Sequence, residues 1–272
     1  MGMTIVVLGG TGKTGRRLVD TLRGRGEDVR VATRTSGTRF DWSDQDTWAA
    51  TVAGASALYL VAPQEPESAE VFVKQATEAG VRRFVALSGR EIDKFPGDLL
   101  GMAAAERAVR DSGAEWTIIR ANNFNQNFDD PQIWLAPLRE GRLALPIGDT
   151  PEPFIDTQDI ADVAAAALTE DGHHEQVYTL SGPRALTFGA AVAAIAKASG
   201  RSIRYEELTP EQYRDELLAQ GASEEAAAEL NALFAVMREG LYAEPCDDVR
   251  RVLGRVPIDF DTYVARAVSA WR

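Results

Sequence analysis

Residues 4–18 read TIVVLGGTGKTGRRL, in which an apolar run meets a helical pattern at closely spaced glycines. The apolar run is typical of a buried strand, and Gly9, Gly12 and Gly15 follow it at intervals of three residues. We expect Gly9 to permit a tight turn, Gly12 to admit a pyrophosphate, and Gly15 to let the helix approach the strand. Because the N-terminus of a helix attracts anions, the segment predicts a phosphate site of a dinucleotide.

The same loop permits a second interpretation. Gly12-Lys13-Thr14 resembles the end of the phosphate loop of nucleotide hydrolases, but that motif requires a glycine five residues before Gly12, where this chain has Val7. The hydrolase interpretation is therefore weakened, while the strand-turn-helix context still favours phosphate binding. The loop residues expected to bind the cofactor are Gly9, Thr11, Gly12, Lys13, Thr14 and Gly15.

The composition restricts the partners of the chain. Of its 272 residues, 45% are apolar and 26% are charged, and the formal net charge is −12. An acidic chain is repelled by a phosphate backbone unless it has a separate basic face, so we expect no nucleic-acid partner. It has no run of about eighteen apolar residues, so we expect no membrane partner and a cytoplasmic location. The single cysteine, Cys246, excludes an internal disulfide, and we expect no metal.

The first half of the chain alternates between β-branched runs and amphipathic stretches. This alternation predicts an α/β fold, a Rossmann-like doubly wound parallel sheet. The predicted strands are 4–8, 29–33, 57–61, 83–88 and 116–120, and the predicted helices between them are 13–23, 44–52, 67–79 and 99–112.

Later residues predict a smaller, mixed and mostly helical region. We assign 1–150 to an NAD(P)-binding domain and 151–272 mainly to substrate binding, and leave open whether 156–168 and a strand near Tyr178 return to the first domain. We read 154–156 as a strand leading into a capped helix. Further helices are expected at 188–199, 210–220 and 224–238.

Residues that follow a parallel strand are the first candidates for ligand binding, because ligands lie at the carboxyl ends of such strands. Arg34 follows the second strand, where a site for NAD would have an acid that binds the ribose 2′-hydroxyl. An arginine there, with Ser36 beside it and Lys13 in the loop, suits a 2′-phosphate. We therefore expect NADPH rather than NADH, with solvated surface cations as the alternative. Phe40, Asp41 and Trp42 are expected to flank the adenine, with an amphipathic entry to the next helix as the alternative.

These residues resemble the atypical short-chain dehydrogenases of the NmrA-like family and, within it, relatives of the ergot-alkaloid clavine reductases, agroclavine and festuclavine dehydrogenase. The resemblance covers nearly the full chain. It is carried by GGTGKTGRR at 9–17, FDWSDQDTW at 40–48, AGVRRFVALSGRE at 79–91, AERAVRDSGAEWTIIRANNFNQNF at 105–128, PEPFIDTQDIADVAAAAL at 151–168 and YTLSGPRALTF at 178–188.

The resemblance implies a Rossmann domain that binds NADP(H) and a smaller carboxyl-terminal region that folds over the nicotinamide. It places the cofactor's pyrophosphate at the glycine loop and its 2′-phosphate at Arg34. The remaining cofactor positions that it implies are Ala62, Pro63, Ser88, Asn122 and Phe124. An ordinary strand end, a capped turn and a hydrogen-bonded loop are the alternative interpretations of these positions.

The chain departs from carbonyl-reducing relatives at their Tyr-x-x-x-Lys pair, which protonates the developing alkoxide. In the alignment the tyrosine position holds Asp98 and the lysine position holds Met102. A substrate that needs no such relay is an iminium ion, which accepts hydride and becomes a neutral amine; quinones and enones are also compatible. The candidate catalytic residues are Ser88, Asp98 and Asn123.

Aromatic and methionine side chains predict an apolar pocket for a small, apolar or cationic substrate. The candidates are Phe128, Trp134, Phe234, Met237 and Tyr242, for which core packing is the alternative. The sequence leaves open whether the protein is a monomer or a homodimer. The rival function is an NADP(H)-binding redox sensor of the NmrA type without catalytic activity.

Overall fold

The computed structural model describes residues 3–94 and 101–272. The chain divides into two compact units. The first unit comprises Met1–Ala121, Thr157–Leu180 and Asp247–Arg255, and the second comprises Asn122–Asp156, Ser181–Cys246 and Val256–Arg272. Two later segments therefore belong to the same unit as the amino-terminal half of the chain.

The described residues form strands and helices in alternation. The strands are β1 Thr4–Leu8, β2 Asp28–Thr33, β3 Thr38–Arg39, β4 Ala57–Val61, β5 Arg83–Gly89, β6 Glu115–Ala121, β7 Arg142–Leu145, β8 Gln176–Leu180 and β9 Arg204–Glu207. The helices are α1 Lys13–Gly24, α2 Trp48–Val52, α3 Pro66–Glu78, α4 Met102–Arg110, α5 Leu135–Arg139, α6 Thr157–Thr169, α7 Phe188–Ser199, α8 Pro210–Ala219, α9 Glu224–Arg238, α10 Asp248–Leu253 and α11 Phe260–Ala267.

The first unit is built on a seven-stranded sheet with the order β3-β2-β1-β4-β5-β6-β8. Every pairing in it is parallel. In β1, an interior strand of the sheet, Ile5, Val6 and Val7 are all 0% exposed. Because successive side chains of a strand point to opposite faces, both faces of the sheet are covered there. The predicted Rossmann-like α/β fold is confirmed.

The five strands predicted for the first half are confirmed, with ends that differ by at most one residue. The predicted helix at 44–52 is shorter than expected: α2 begins at Trp48, after a 3-10 turn at Gln45–Thr47. The hydroxyl of Thr47 binds the backbone carbonyl of Asp44 at 2.6 Å, which stabilises this turn locally. An early start of the α-helix is therefore replaced by a tighter turn.

Helix α6 and strand β8 bring the chain back to the first unit. The side chains of Ile160, Val163 and Ala164 in α6 are all fully buried, and β8 extends the sheet by pairing with β6. Arg255 binds the buried Asp159 across 2.5 Å and Asp162 across 2.6 Å, and so attaches the end of α10 to α6.

The second unit has a parallel pair, β7 and β9, and an aromatic core. The ring of Phe128 lies 5.2 Å from that of Phe154 and 5.4 Å from that of Phe260. The predicted strand at 154–156 is wrong, because Ile155 alone forms an isolated bridge, with Phe124. The Phe154 N–H donates to the Glu152 carbonyl at 3.1 Å in a local turn, so it is not available to a strand partner.

Within residues 3–94 and 101–272, none of the helices combines the length and the apolar character that crossing a membrane requires.

Candidate functional site

The glycine loop connects β1 to α1 in a tight turn. Gly9 has a φ of +63°, a conformation that favours glycine, and its N–H donates to the Ala32 carbonyl at 3.0 Å. A Cβ at Gly15 would lie 2.3 Å from the Gly9 oxygen, which no side chain tolerates. The two expected backbone roles, a turn at Gly9 and close helix approach at Gly15, are confirmed. The loop therefore holds the start of α1 against the end of β1.

The N-terminus of α1 is open to an anion. Gly12 is its N-cap residue, no side chain among the described residues caps it, and its first turn has no acidic residue. The first N–H groups of a helix have no partner within the helix, and the helix dipole makes this end positive. A diphosphate group fits this environment, and Lys13, the first helical residue, contributes a cation.

Thr14 lies in the same turn and is held by a residue that sequence reasoning missed. The Tyr59 hydroxyl donates to Thr14 Oγ1 across 3.2 Å, and both side chains are buried. Burial raises the pKa of the Tyr59 phenol, so it stays protonated and remains a donor. The Thr14 hydroxyl keeps its own proton for another acceptor. The sequence feature that could have pointed to Tyr59 is a tyrosine inside the apolar strand Ala57–Val61, because a buried phenol requires a hydrogen-bond partner.

A compact turn after β2 presents Arg34. Ser36 Oγ accepts from the Thr33 N–H at 2.9 Å and donates to the Thr38 carbonyl at 2.7 Å, while the Ser36 N–H donates to Thr33 Oγ1 at 2.9 Å. Arg34 is exposed at the tip, and it makes no hydrogen bond or ion pair with a residue of the described ranges. The Ser36 hydroxyl is used inside the turn, so its contribution is to shape the loop that carries the guanidinium.

Asp41 and Trp42 follow β3. Asp41 Oδ1 accepts from the Ser43 N–H at 3.1 Å and from the Ser43 hydroxyl at 2.8 Å. These hydrogen bonds, with smaller contributions from the charges of Arg34 and Arg39, lower the pKa of Asp41. Trp42 is half-buried and packs edge-to-face in an aromatic cluster of the first unit. Its ring partners, with centroid distances, are Phe40 at 4.9 Å, Phe72 at 5.1 Å and Trp48 at 5.8 Å.

Three further candidates lie at the ends of β4 and β5. Ala62 and Pro63 directly follow β4, and Ser88 lies in β5. The Ser88 side chain is 3% exposed, and its Oγ has no hydrogen-bond partner among the described residues. Met102, the residue expected at the lysine position of the Tyr/Lys pair, places its Sδ 3.6 Å from where a Cβ of Gly89 would lie. Asp98 lies outside the described residues.

The parallel sheet gathers these first-unit candidates at one edge, because parallel strands end on the same side. The group comprises the glycine loop, Arg34, Ser36, Ala62, Pro63 and Ser88. The candidates from Asn122 onward belong to the second unit.

In the second unit, a buried carboxylate joins Asn122 and Asn123. Glu152 is 4% exposed, and its Oε1 accepts from the Asn123 N–H at 3.1 Å and from Asn122 Nδ2 at 3.4 Å. Its Oε2 accepts from Asn123 Nδ2 at 2.9 Å. Sequence reasoning missed Glu152, since nothing local shows that it meets residues 29 and 30 positions away. The sequence feature that could have pointed to Glu152 is its position between Pro151 and Pro153.

The apolar candidates of the second unit fall into three groups. Met237 and Tyr242 contact the acid–amide cluster: Asn123 Nδ2 lies 3.9 Å from Met237 Sδ, and Asn122 Nδ2 donates to the Tyr242 carbonyl at 3.4 Å. The ring of Phe234 in α9 packs against Tyr213, with centroids 5.4 Å apart. The other three positions lie elsewhere in the unit. Phe128 is fully buried in the aromatic core, Trp134 packs 4.9 Å from it, and Phe124 bridges to Ile155.

The seven-stranded parallel sheet and its glycine loop define a Rossmann-type protein. A solved structure with the same fold is the NADPH-dependent quinone oxidoreductase of Escherichia coli complexed with NADPH. The two have a TM-score of 0.82 and 21% identity, over 96% of this chain and 99% of that one. At this identity the likeness concerns the fold.

Residues 1–264 match the NmrA-like family, and the chain belongs to that family. Two relatives align along almost their whole length. The uncharacterized oxidoreductase YesF of Bacillus subtilis is 30% identical, over 98% of this chain and 96% of its own. Festuclavine dehydrogenase easG of Aspergillus fumigatus is 29% identical, over 99% of both chains.

Proposed function

We propose that this protein is a reductase that uses NADPH to reduce an activated acceptor, with an iminium or imine as the favoured class and quinones or enones next. The chain is an NAD(P)H-dependent oxidoreductase of the NmrA-like family. One observation carries the proposal. The glycine loop opens α1 without a side-chain cap among the described residues, and an exposed Arg34 follows the neighbouring strand.

The residues of the first unit suit a phosphorylated dinucleotide. The backbone from Gly9 to Gly15 and the hydroxyl of Thr14 would bind the diphosphate, with Lys13 adding positive charge. Arg34 would bind the 2′-phosphate through charge-assisted hydrogen bonds, which supports NADPH over NADH. When bound, the reduced nicotinamide supplies the hydride.

Proton transfer by a Tyr/Lys pair is not part of the proposed mechanism. Met102 stands at the lysine position, and a thioether carries no positive charge to lower the pKa of a phenol. Its sulfur lies beside Gly89. An acceptor that becomes neutral on hydride addition requires no such relay, which supports an iminium as the favoured class.

The second unit is proposed to bind the acceptor. Asn123 is half-buried and lies beside Met237, so a polar amide and a polarizable thioether are neighbours. This combination suits a small ligand with an apolar body and one polar group. The names of the relatives support a small-molecule substrate.

The test is a comparison of binding and turnover. Purified protein is titrated with NADPH while its intrinsic fluorescence is followed, and NADPH oxidation is then measured with a cyclic iminium, a quinone and an enone. We expect tight binding and the fastest oxidation with the iminium. Tight binding without turnover of any acceptor would contradict the reductase and favour the redox sensor. Steady phosphate release from ATP would favour the hydrolase.

A further inference from the structure

The side-chain amide of Asn123 is held in one orientation. Its Nδ2 donates to Glu152 Oε2 at 2.9 Å and also lies 3.9 Å from Met237 Sδ, a weak acceptor. An amide nitrogen has two N–H bonds, so both are used inside the second unit. The carbonyl oxygen, Oδ1, makes no hydrogen bond with a residue in the described part of the chain.

Glu152 fixes this orientation. Both carboxylate oxygens of Glu152 accept from N–H groups of Asn122 and Asn123, so a flipped amide would replace the Nδ2 donor with the Asn123 oxygen against Glu152 Oε2. Glu152 cannot easily move away, because its backbone N–H and carbonyl both pair with Leu186, at 2.9 and 3.0 Å. Its side chain is also buried and binds the Asn123 backbone N–H. The amide therefore presents an acceptor and not a donor.

We propose that Asn123 Oδ1 accepts a hydrogen bond from an N–H group of the acceptor substrate, and that Glu152 is the positioning residue that fixes this polarity. The proposal rests on the reductase function proposed above. It names a substrate class, iminium ions that carry an N–H. A quinone or enone develops negative charge on oxygen during reduction and gains nothing from a carbonyl oxygen nearby.

The orientation of the Asn123 amide favours reduction of an N–H iminium, and this reaction requires no proton donor. Hydride adds to the iminium carbon, the π electron pair of the C=N⁺ bond becomes the lone pair of nitrogen, and the coenzyme leaves oxidised. The nitrogen keeps its hydrogen and becomes neutral. Asn123 then has to hold the N–H in place, and Glu152 has to keep the Asn123 amide from turning.

The test compares two acceptors that differ in the N–H. One is protonated 3,4-dihydroisoquinoline, assayed in mildly acidic buffer, and the other is its N-methyl iminium, which has no N–H. The measured quantity is the ratio of kcat/KM for the first to that for the second, so damage common to both acceptors cancels. We expect Asn123→Ala to lower this ratio about tenfold, the effect of one hydrogen bond.

Two further variants separate positioning from folding. Glu152→Gln keeps the size of the side chain but offers Asn123 either an oxygen or an amide, so we expect the ratio to fall by less than in Asn123→Ala. Asn231→Ala is the matched control, because this second-unit asparagine binds the Pro210 carbonyl, away from the acid–amide cluster. We expect its ratio to equal that of the wild type.

Binding is measured alongside turnover, as dissociation constants of both acceptors in the presence of NADP⁺. An unchanged ratio in Asn123→Ala would overturn the inference, as would a parallel loss of NADPH affinity, which would assign the amide to the coenzyme. If the wild type turns over no acceptor, the reductase function fails. The ratio of dissociation constants still decides the role of Asn123 in that case.

Discussion

Gly15 in α1 touches the backbone of Gly9 so closely that a Cβ at Gly15 would lie 2.3 Å from the Gly9 oxygen. We predict that Gly15→Ala pushes α1 away from the loop, lowers stability by about 1–3 kcal/mol and weakens NADPH binding. Gly24, in the last turn of the same helix, is the matched control, because a Cβ there meets nothing within 4 Å. Gly24→Ala should stabilise by about 0.5–1 kcal/mol, since alanine restricts the unfolded chain. Urea unfolding and fluorescence titration measure both effects, and equal behaviour of the two variants would contradict the loop geometry.

Arg34→Glu tests the assignment of the 2′-phosphate. We predict that this variant weakens NADPH binding about 10- to 100-fold, the range expected for a charge-assisted hydrogen bond, and NADH binding much less. Arg23→Glu makes the same change of charge on the exposed side of the last turn of α1 and controls for net charge. Dissociation constants for the two coenzymes decide the matter. Equal losses for both would remove the assignment.

Ser36→Ala tests whether the turn positions Arg34. The variant removes the acceptor of the buried Thr33 N–H, so we expect a loss of about 1 kcal/mol in stability and a several-fold fall in the preference for NADPH over NADH. Ser112→Ala is the control: its hydroxyl also joins backbone groups in a turn of the first unit, at 2.7 and 3.1 Å. We expect a similar loss of stability there with an unchanged coenzyme preference. An equal preference for NADPH over NADH in the wild type, Ser36→Ala and Ser112→Ala would mean that Ser36 does not position Arg34.

His173 should make stability depend on pH. Its Nδ1 lies 2.7 Å from the Tyr178 hydroxyl, and burial lowers the pKa of His173 below its usual value, with Glu170 and Arg83 acting in opposite directions. The unfolded chain therefore takes up the proton first as the pH falls. The stability that neutral His173 contributes is fully present above its pKa in the unfolded chain, about 6.5. It is lost as the pH falls through the lower pKa of His173 in the folded protein.

We predict that His173→Gln flattens the fall of Tm on the acid side of about pH 6.5 relative to the wild type. Thermal unfolding of both proteins in a series of buffers of different pH measures how Tm depends on pH. Curves that run parallel on the acid side would show that His173 does not carry this dependence.

How much of the secondary structure could be predicted from the sequence differed between the two units. The buried parallel strands were predicted because both of their faces are covered, which leaves continuous apolar runs such as Ile5 to Leu8. β3, β7 and β9 were not predicted, since they are two to four residues long and each contains at least one charged residue. The helix predicted at 13–23 is confirmed as α1, which ends at Gly24, and Gly26, with a φ of +83°, follows it.

The sequence by itself determined the strand-turn-helix of the glycine loop and the parallel sheet that carries it, because these depend on local patterns of apolar residues and glycine. It also placed Arg34 at the end of a strand. Only the tertiary structure decided how Glu152 meets Asn123, how Tyr59 meets Thr14, and that Ser36 is used inside its own turn. The contacts of Glu152 and Tyr59 join residues 29 and 45 positions apart. The orientation of the half-buried Asn123 amide depends on the carboxylate that folding brings to it, and that pairing produces no periodic pattern in the sequence.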